Sequence, residues 1–136
     1  MIPAMAIPKT ISVNSKKPTL DEQGLYSYAQ EKLGAAMIKL ATGERDIKSR
    51  LKSVYDSELC GLTIKNFPDE LKEDWQKIMQ ELTKLGPRSI NGTSIIIHPL
   101  NNTLGSIRLA TGAKIAEKIC DLKYKIDTYF EYLQTR

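Results

Sequence analysis

The feature that most constrains the fold is the segment 67–87, FPDELKEDWQKIMQELTKLGP, because its start, register and end can all be read from the sequence. Its apolar residues recur at alternating intervals of four and three, which places them on one stripe of a helix. The stripe consists of Leu71, Trp75, Ile78, Leu82 and Leu85. Pro68 suits the first helical position, and Gly86 followed by Pro87 marks the end. A helix this polar on its other side is marginal alone. We therefore predict that it packs through the stripe and organises the rest of the chain.

The same spacing recurs elsewhere and predicts an all-α fold. Thr19 and Glu22 form a capping box that opens a first helix. A second helix resumes at Ile47 and ends near Gly61, a short helix surrounds Leu100, and a long one closes the chain. The predicted core positions of the first and last helices are Tyr26, Ala29, Leu33, Met37 and Leu40, and Ile115, Ile119, Leu122, Ile126, Tyr129 and Leu133. We predict a bundle of about four to five helices, with a single helical domain at 19–136.

Two segments do not follow the helical period. Residues 1–18 contain three prolines, which predicts an extended or flexible N-terminal arm. Residues 88–99 are turn-rich, since Asn91 and Gly92 favour a turn and Ser94–Ile97 is mostly β-branched. The alternatives for 88–99 are an irregular loop or a short two-stranded ribbon. The partner that alternation indicates for a strand at 94–97 is Thr10–Asn14.

Two nearly identical hexapeptides, Ile38–Gly43 and Ile107–Gly112, differ only by Lys39 in place of Arg108. We interpret Thr42 and Thr111 as helix caps after a corner, with the glycines opening the helices that follow. Convergence on a stable helical corner is the favoured explanation, and duplication of a longer unit is the alternative.

Composition excludes several classes of protein. The formal net charge is +4, but on the helices bases and acids alternate, which is a weak footprint for nucleic acid. The two cysteines, Cys60 and Cys120, are too few for a disulfide framework, and we expect both to be buried free thiols. No stretch approaches the roughly 20 apolar residues of a membrane span, and the N-terminus lacks a signal-peptide pattern. We expect a cytoplasmic protein with no membrane partner.

No catalytic constellation is apparent. The single histidine, His98, shows no zinc-ligand spacing with Cys60 or Cys120. The sequence contains neither a phosphate-binding loop nor a dinucleotide-binding turn. We therefore predict no catalytic residues, no cofactor and no metal.

Two groups of residues remain as candidate binding surfaces. Arg45, Lys48, Arg50 and Lys52 form a basic stripe on the second helix, which the arm lysines Lys9, Lys16 and Lys17 would extend. The aromatic residues Tyr28, Tyr124, Phe130 and Tyr132 crowd the first and last helices and cannot all face one core. The stripe would contact nucleic acid, and the aromatic residues would contact another chain.

The order of these segments also resembles a group of small bacterial helical proteins. The motifs are ATGERDIKSRL, then FPDELKEDWQKIMQELT, then SIRLATGAKIAEKICDLKYKI, within about residues 38–126. In that group a similar corner precedes a P-x-E-L helix and a final amphipathic helix. The resemblance implies the helical layout and carries no site residues.

Our first hypothesis is a small non-enzymatic protein acting by protein–protein interaction, as an accessory or regulatory subunit or as a homodimer. The alternative is a nucleic-acid-binding module that uses the basic stripe and the basic arm.

Overall fold

A computed structural model of the chain describes residues 17–135, and these residues form an all-α bundle, as predicted. The helices are α1 (Leu20–Thr42), α2 (Ile47–Ser57), α3 (Asp69–Thr83), α4 (Pro99–Ser106) and α5 (Leu109–Gln134). Two 3₁₀ turns, Leu59–Gly61 and Ile64–Asn66, join α2 to α3. A two-stranded ribbon of β1 (Arg88–Ser89) and β2 (Ile96–Ile97) joins α3 to α4.

The central element is α5, because α1, α2 and α3 all pack against it. On α1, Gln30 donates a hydrogen bond to Asp127 at 2.7 Å, and Gly34 lies beside Lys123, so α1 and α5 are antiparallel. On the other side, α3 also runs antiparallel to α5, since it pairs Asp74 with Lys125 and Glu81 with Lys118. The prediction that 67–87 organises the fold is therefore wrong. The central helix is α5, because its buried stripe is longer than that of α3 and packs against three other helices.

The core of α1 follows the predicted register with one exception. The predicted core residues that are buried are Tyr26, Ala29, Leu33 and Leu40. Met37 is exposed, and the neighbouring Ala36 is buried instead. A Cβ atom at Gly34 would lie 3.2 Å from the Lys123 side chain. This is the close helix approach that small residues at 34–36 allow.

The α3 helix buries the predicted stripe except for its last member. Leu85 is exposed because the helix ends at Thr83. Gly86 adopts φ = 66°, the left-handed conformation expected of a glycine that closes a helix. Pro68 is the N-cap residue of α3 and not, as we predicted, its first helical position. The Trp75 ring stacks on Phe67 with centroids 4.9 Å apart, which closes the core at this end.

The α2 helix ends at Ser57, four residues before the predicted end at Gly61. Glu58 follows with φ = −115° and turns its side chain inward, where only 9% of it is exposed. Its carboxylate binds Lys39 at 2.8 Å and Lys32 at 3.5 Å, both on α1. These ion pairs with another helix explain why the local pattern alone misplaces the end.

The two hexapeptides have opposite roles, and neither threonine is a cap. Ile38–Gly43 closes α1, where the Thr42 hydroxyl donates back to Ile38 O at 2.8 Å. In the second copy Arg108 is the N-cap residue, so Thr111 lies inside the first turn of α5. The residues that follow decide the outcome: Asp46 caps a new helix after the first copy, whereas good helix formers continue after the second.

The ribbon is confirmed, with Arg88 paired to Ile97 and Ser89 to Ile96. Asn91 (φ = 46°) and Gly92 (φ = 72°) supply the left-handed turn between the strands. The strand predicted at Thr10–Asn14, and all but the last two residues of the predicted arm, lie outside the residues that the structure describes.

None of the helices between residues 17 and 135 combines the length and the apolar character needed to cross a bilayer.

Candidate functional site

A cleft of about 290 Å³ opens where the chain turns from α1 into α2, and we name it the corner cleft. It is lined by Lys39, Thr42, Gly43, Glu44, Arg45, Ser49, Arg50 and Ser53. Three bases and one acid therefore face a small volume together with two serine side chains of α2. Ser49 and Ser53 share one face of α2 because they are four residues apart.

The corner is set by the cap of α2. Asp46 accepts a hydrogen bond from the backbone N–H of Ser49 at 2.9 Å. This bond is the largest of the effects that lower the pKa of the Asp46 carboxyl. A charged cap fixes the start of α2 and so fixes the separation between the two walls of the cleft.

Arg50 crosses from α2 to α1 and is held at both ends. Its Nη1 donates to Leu40 O at 3.1 Å, at the end of α1 where the helix dipole favours a cation. Its stem lies against Gly43, where an added Cβ atom would be 2.7 Å from the arginine Cγ. Gly43 is therefore required by this side chain and not by its own backbone, whose φ is −63°. Arg50 Nε is buried and has no hydrogen-bond partner among residues 17–135.

Lys39 and Arg45 differ in how far their charge is already compensated. Lys39 Nζ donates to Glu58 at 2.8 Å and to Ser57 Oγ at 2.6 Å. The hydrogen bond from Lys39 is the main reason that the pKa of Glu58 lies below its ordinary value. Arg45 is exposed and makes no hydrogen bond or ion pair with any residue between 17 and 135. Of these two cations, Arg45 is therefore the one that residues 17–135 leave available to a ligand.

The predicted basic stripe is not one continuous face. Lys48 Nζ donates to Ile107 O at 2.9 Å, and Lys52 pairs with Asp56 at 2.9 Å. Of the four residues in the stripe, only Arg45 and Arg50 line the corner cleft, and Arg45 precedes α2. Lys39, Ser49 and Ser53 also line the cleft, and the sequence does not indicate them as site residues. No local pattern marks them, because the cleft joins residues from both sides of a corner.

The predicted aromatic interface is divided among three places. Tyr124 is 69% exposed on the outer side of α5, and Tyr28 is 43% exposed on α1. Phe130 and Tyr132 are half-buried and pack against a pair formed by Tyr26 and Tyr129, whose rings meet edge to face at 5.9 Å. These four predicted residues therefore do not form one surface.

The Tyr26–Tyr129 pair is a structural cluster at the end of the bundle. Burial is the main cause that raises the pKa of Tyr26 to about 12, and burial likewise raises the pKa of Tyr129. Both phenols are neutral at physiological pH, so they contribute packing and ring contacts and no charge.

A second candidate surface includes Tyr28. It consists of Leu25, Tyr28 and Ile64, and we name it the apolar patch. All three side chains are exposed. Leu25 O accepts a hydrogen bond from the Asn66 side chain at 3.0 Å, which ties α1 to the 3₁₀ turn that carries Ile64. The Tyr28 hydroxyl lies 3.6 Å from the Cβ position of Gly61. The patch thus joins α1 to the loop between α2 and α3.

Lys32 links the apolar patch to the corner cleft. Its Nζ lies 5.5 Å from the centre of the Tyr28 ring and 3.5 Å from Glu58. Glu58 in turn binds Lys39, which lines the cleft. The patch, the two lysines and the cleft therefore follow one seam between α1 and α2.

Neither cysteine lines the corner cleft, and His98 does not line it either. Cys60 is exposed, contrary to our prediction, because α2 ends before it and a 3₁₀ turn carries it outward. Cys120 is half-buried, and burial is the main cause that raises its pKa. His98 accepts a hydrogen bond from Leu100 N–H at 3.1 Å and caps α4. Within residues 17–135 no three His, Cys, Asp or Glu side chains converge as metal ligands would.

Compared with protein-family models, curated proteins and solved structures, the chain gives no match.

Proposed function

We propose that this is a non-enzymatic binding protein whose corner cleft takes a carboxylate-bearing segment of another protein. The observation that carries the proposal is the pair of arginines at the cleft. Arg45 has no partner among residues 17–135, and Arg50, whose Nε is buried, makes one side-chain hydrogen bond to those residues, from Nη1 to Leu40 O. A guanidinium group presents its donors as a planar fork that matches a carboxylate.

The balance of charge around the cleft supports an anionic ligand. Lys39, Arg45 and Arg50 oppose a single acid, Glu44, among the lining residues. Lys39 is already paired with Glu58, so the two arginines supply most of the attraction. An acidic side chain or a C-terminal carboxylate is of a size that this volume accepts.

A catalytic role is not part of the proposal. Ser49 and Ser53 line the cleft, but a serine nucleophile needs an adjacent base. None of the lining residues is a histidine, and Lys39 is held in its ion pair. The two cysteines are free thiols, which is typical of a reducing compartment, and we propose a cytoplasmic accessory or regulatory subunit.

Nucleic acid is the competing ligand, and the arrangement of the bases favours it less. Binding to a phosphate backbone gains affinity from many neutralised phosphates, each of which releases counterions. Lys48 is bonded to the backbone of Ile107, and the charge of Lys52 is offset by Asp56 on the same helix, which leaves a short site in place of a long basic face. The cleft would therefore engage few phosphates.

The test compares ligands and matched arginine variants. Fluorescence anisotropy measures binding of labelled hexaglutamate, of a neutral hexapeptide and of a single-stranded DNA oligonucleotide, at low and high salt. Arg45→Gln should weaken hexaglutamate binding about tenfold, since it removes a charge-assisted contact. Arg108→Gln is the control, because Arg108 is also exposed and makes no side-chain cap.

Two results would overturn the proposal. One is hexaglutamate binding that equals that of the neutral peptide, or that responds alike to both arginine variants. The other is DNA binding that depends on Arg45 while the acidic peptide does not bind, which would establish the nucleic-acid alternative.

A further inference from the structure

We infer that the partner segment is extended and carries an apolar anchor about five residues from its acidic group, with the anchor on the apolar patch. This inference rests on the proposed function, because the acidic group is placed in the corner cleft. It assigns the seam between α1 and α2 as a single elongated docking surface.

The length of the seam fixes the spacing. Tyr28 and Lys39 lie on the same helix, and at a rise of ~1.5 Å per residue they are about 16 Å apart along its axis. An extended chain advances about 3.3 Å per residue. About five residues therefore span the distance from the patch to the edge of the cleft.

The middle of the seam favours an acidic segment. Lys32 and Lys39 share the one carboxylate of Glu58, which leaves an excess of positive charge there. Glu58 is buried, but both lysines are partly exposed, with 29% and 41% of their side chains accessible. Approaching carboxylates would meet the two cations before they met the acid. A basic segment would be repelled.

The end of the seam favours an apolar anchor. Leu25 and Tyr28 of α1 and Ile64 of the 3₁₀ turn leave apolar surface exposed, and the hydrogen bond from Asn66 to Leu25 O ties these two elements together. The Tyr28 ring is held in place, since Lys32 lies over it and its hydroxyl lies against Gly61. A pre-positioned tyrosine loses little side-chain entropy on binding, which is one reason that tyrosine is common at binding hot spots.

The experiment uses three labelled peptides. One carries Glu-Glu, a five-residue Gly/Ser spacer and Phe-Leu. A second shortens the spacer to two residues, and a third keeps the long spacer and replaces Phe-Leu by Gly-Ser. Each is made in both sequence orders. The five-residue peptide should bind about tenfold tighter than either of the others.

Matched variants locate the anchor. Tyr28→Ala should remove the gain from Phe-Leu, whereas Tyr124→Ala, on the outer side of α5, should leave it intact. Ile64→Ser and Ile95→Ser form a second pair, in which Ile95 is an exposed isoleucine of the ribbon segment. The second pair keeps the test decisive if Tyr28→Ala disturbs the fold.

The outcomes separate this inference from the proposed function. If Arg45→Gln weakens all three peptides but Phe-Leu adds no affinity, the docking inference is overturned and the proposed function stands. If Phe-Leu adds affinity that Tyr124→Ala removes and Tyr28→Ala does not, the anchor lies elsewhere and the inference is again overturned. If Arg45→Gln leaves the affinity of all three peptides unchanged, the proposed function is overturned, together with the docking inference that rests on it.

Discussion

Replacing Gly43 by alanine should destabilise the protein through Arg50 and not through the backbone. Gly43 has φ = −63° and ψ = 145°, values that alanine adopts freely. The new Cβ atom would lie 2.7 Å from Arg50 Cγ and 3.0 Å from both Cδ and Nε. Real Cβ atoms essentially never come within 2.7 Å of another heavy atom, so the arginine stem has to shift from its position against the corner.

The magnitude follows from what the arginine would lose. Its bond to Leu40 O is a charged hydrogen bond of about 1.5 kcal/mol, and its position at the end of α1 adds about 0.5 kcal/mol. Two stem methylenes contribute about 1.5 kcal/mol of burial. Two gains offset about 1.5 kcal/mol of this loss. The unpaired Nε becomes hydrated once the arginine moves, and alanine gives the unfolded chain less conformational entropy than glycine does. The net cost is about 2 kcal/mol.

A double-mutant cycle tests this coupling. The free energy of unfolding is measured in urea for wild type, Gly43→Ala, Arg50→Ala and the double variant, with the buried Trp75 as fluorescent probe. In the Arg50→Ala background, Gly43→Ala should become stabilising by about 0.5 kcal/mol, since only the entropy gain remains. Gly24→Ala is the control, because no atom of residues 17–135 lies within 4 Å of its Cβ position. Equal costs of Gly43→Ala in both backgrounds would refute the assignment to Arg50.

Three further predictions concern stability. Glu58→Gln should reduce the free energy of unfolding most near neutral pH. The hydrogen bond from Lys39 lowers the pKa of the Glu58 carboxyl in the folded state. The stability that the ionised carboxylate contributes is therefore fully present above the unfolded-state pKa of about 4.3, and it is lost as the pH falls through the folded-state pKa. Urea titrations at several pH values check this, with Asp56→Asn as an exposed-pair control that costs under about 0.5 kcal/mol; a gap that stays constant down to pH 3 would contradict it. Phe67→Ala should cost about 3–5 kcal/mol by leaving a cavity beside the stacked tryptophan, measured as a lower urea midpoint. Thr19→Ala should cost about 1 kcal/mol through loss of the capping box, and a thermal midpoint unchanged from wild type would count against that role.

The elements that the sequence predicts correctly are those with a local cause. The capping box of Thr19 lies within one turn, with hydrogen bonds of 2.9 and 3.1 Å. The left-handed Gly86 closes α3 through the backbone conformation that glycine alone tolerates well. The ribbon follows from Asn91 and Gly92 in the same way. In each case the residues that decide the structure are neighbours in the chain.

The elements that the sequence misplaces have causes that lie on other helices. The end of α2 depends on Glu58 turning toward two lysines of α1. The two hexapeptides share nearly the same residues, yet one closes a helix and the other opens one, because the flanking segments differ. Met37 fits the core period of α1 but lies at its exposed margin. Periodicity gives the stripe of a helix and leaves its exact limits to the neighbours.

For the same reason, the sequence indicates only part of the candidate site. The sequence indicates Arg45 and Arg50 as part of a basic stripe, whereas their common environment is a cleft that Lys39 of α1 and its C-cap residue Gly43 complete. The sequence groups Tyr28 with aromatic residues that the fold places elsewhere. The sequence identifies which residue types are in surplus, and the fold decides which of them share a surface.

The distribution of ion pairs explains why a chain with so many bases offers so small a site. Glu58 is buried, and a buried carboxylate adds little net stability over an apolar side chain of the same size. Its effect is to hold Lys39 and Lys32 along the seam in fixed positions. With those two cations held in place, Arg45 is the base of the cleft that makes no hydrogen bond to residues 17–135. Binding specificity at this corner would then depend on which cations are unpaired, and the total number of bases would matter much less.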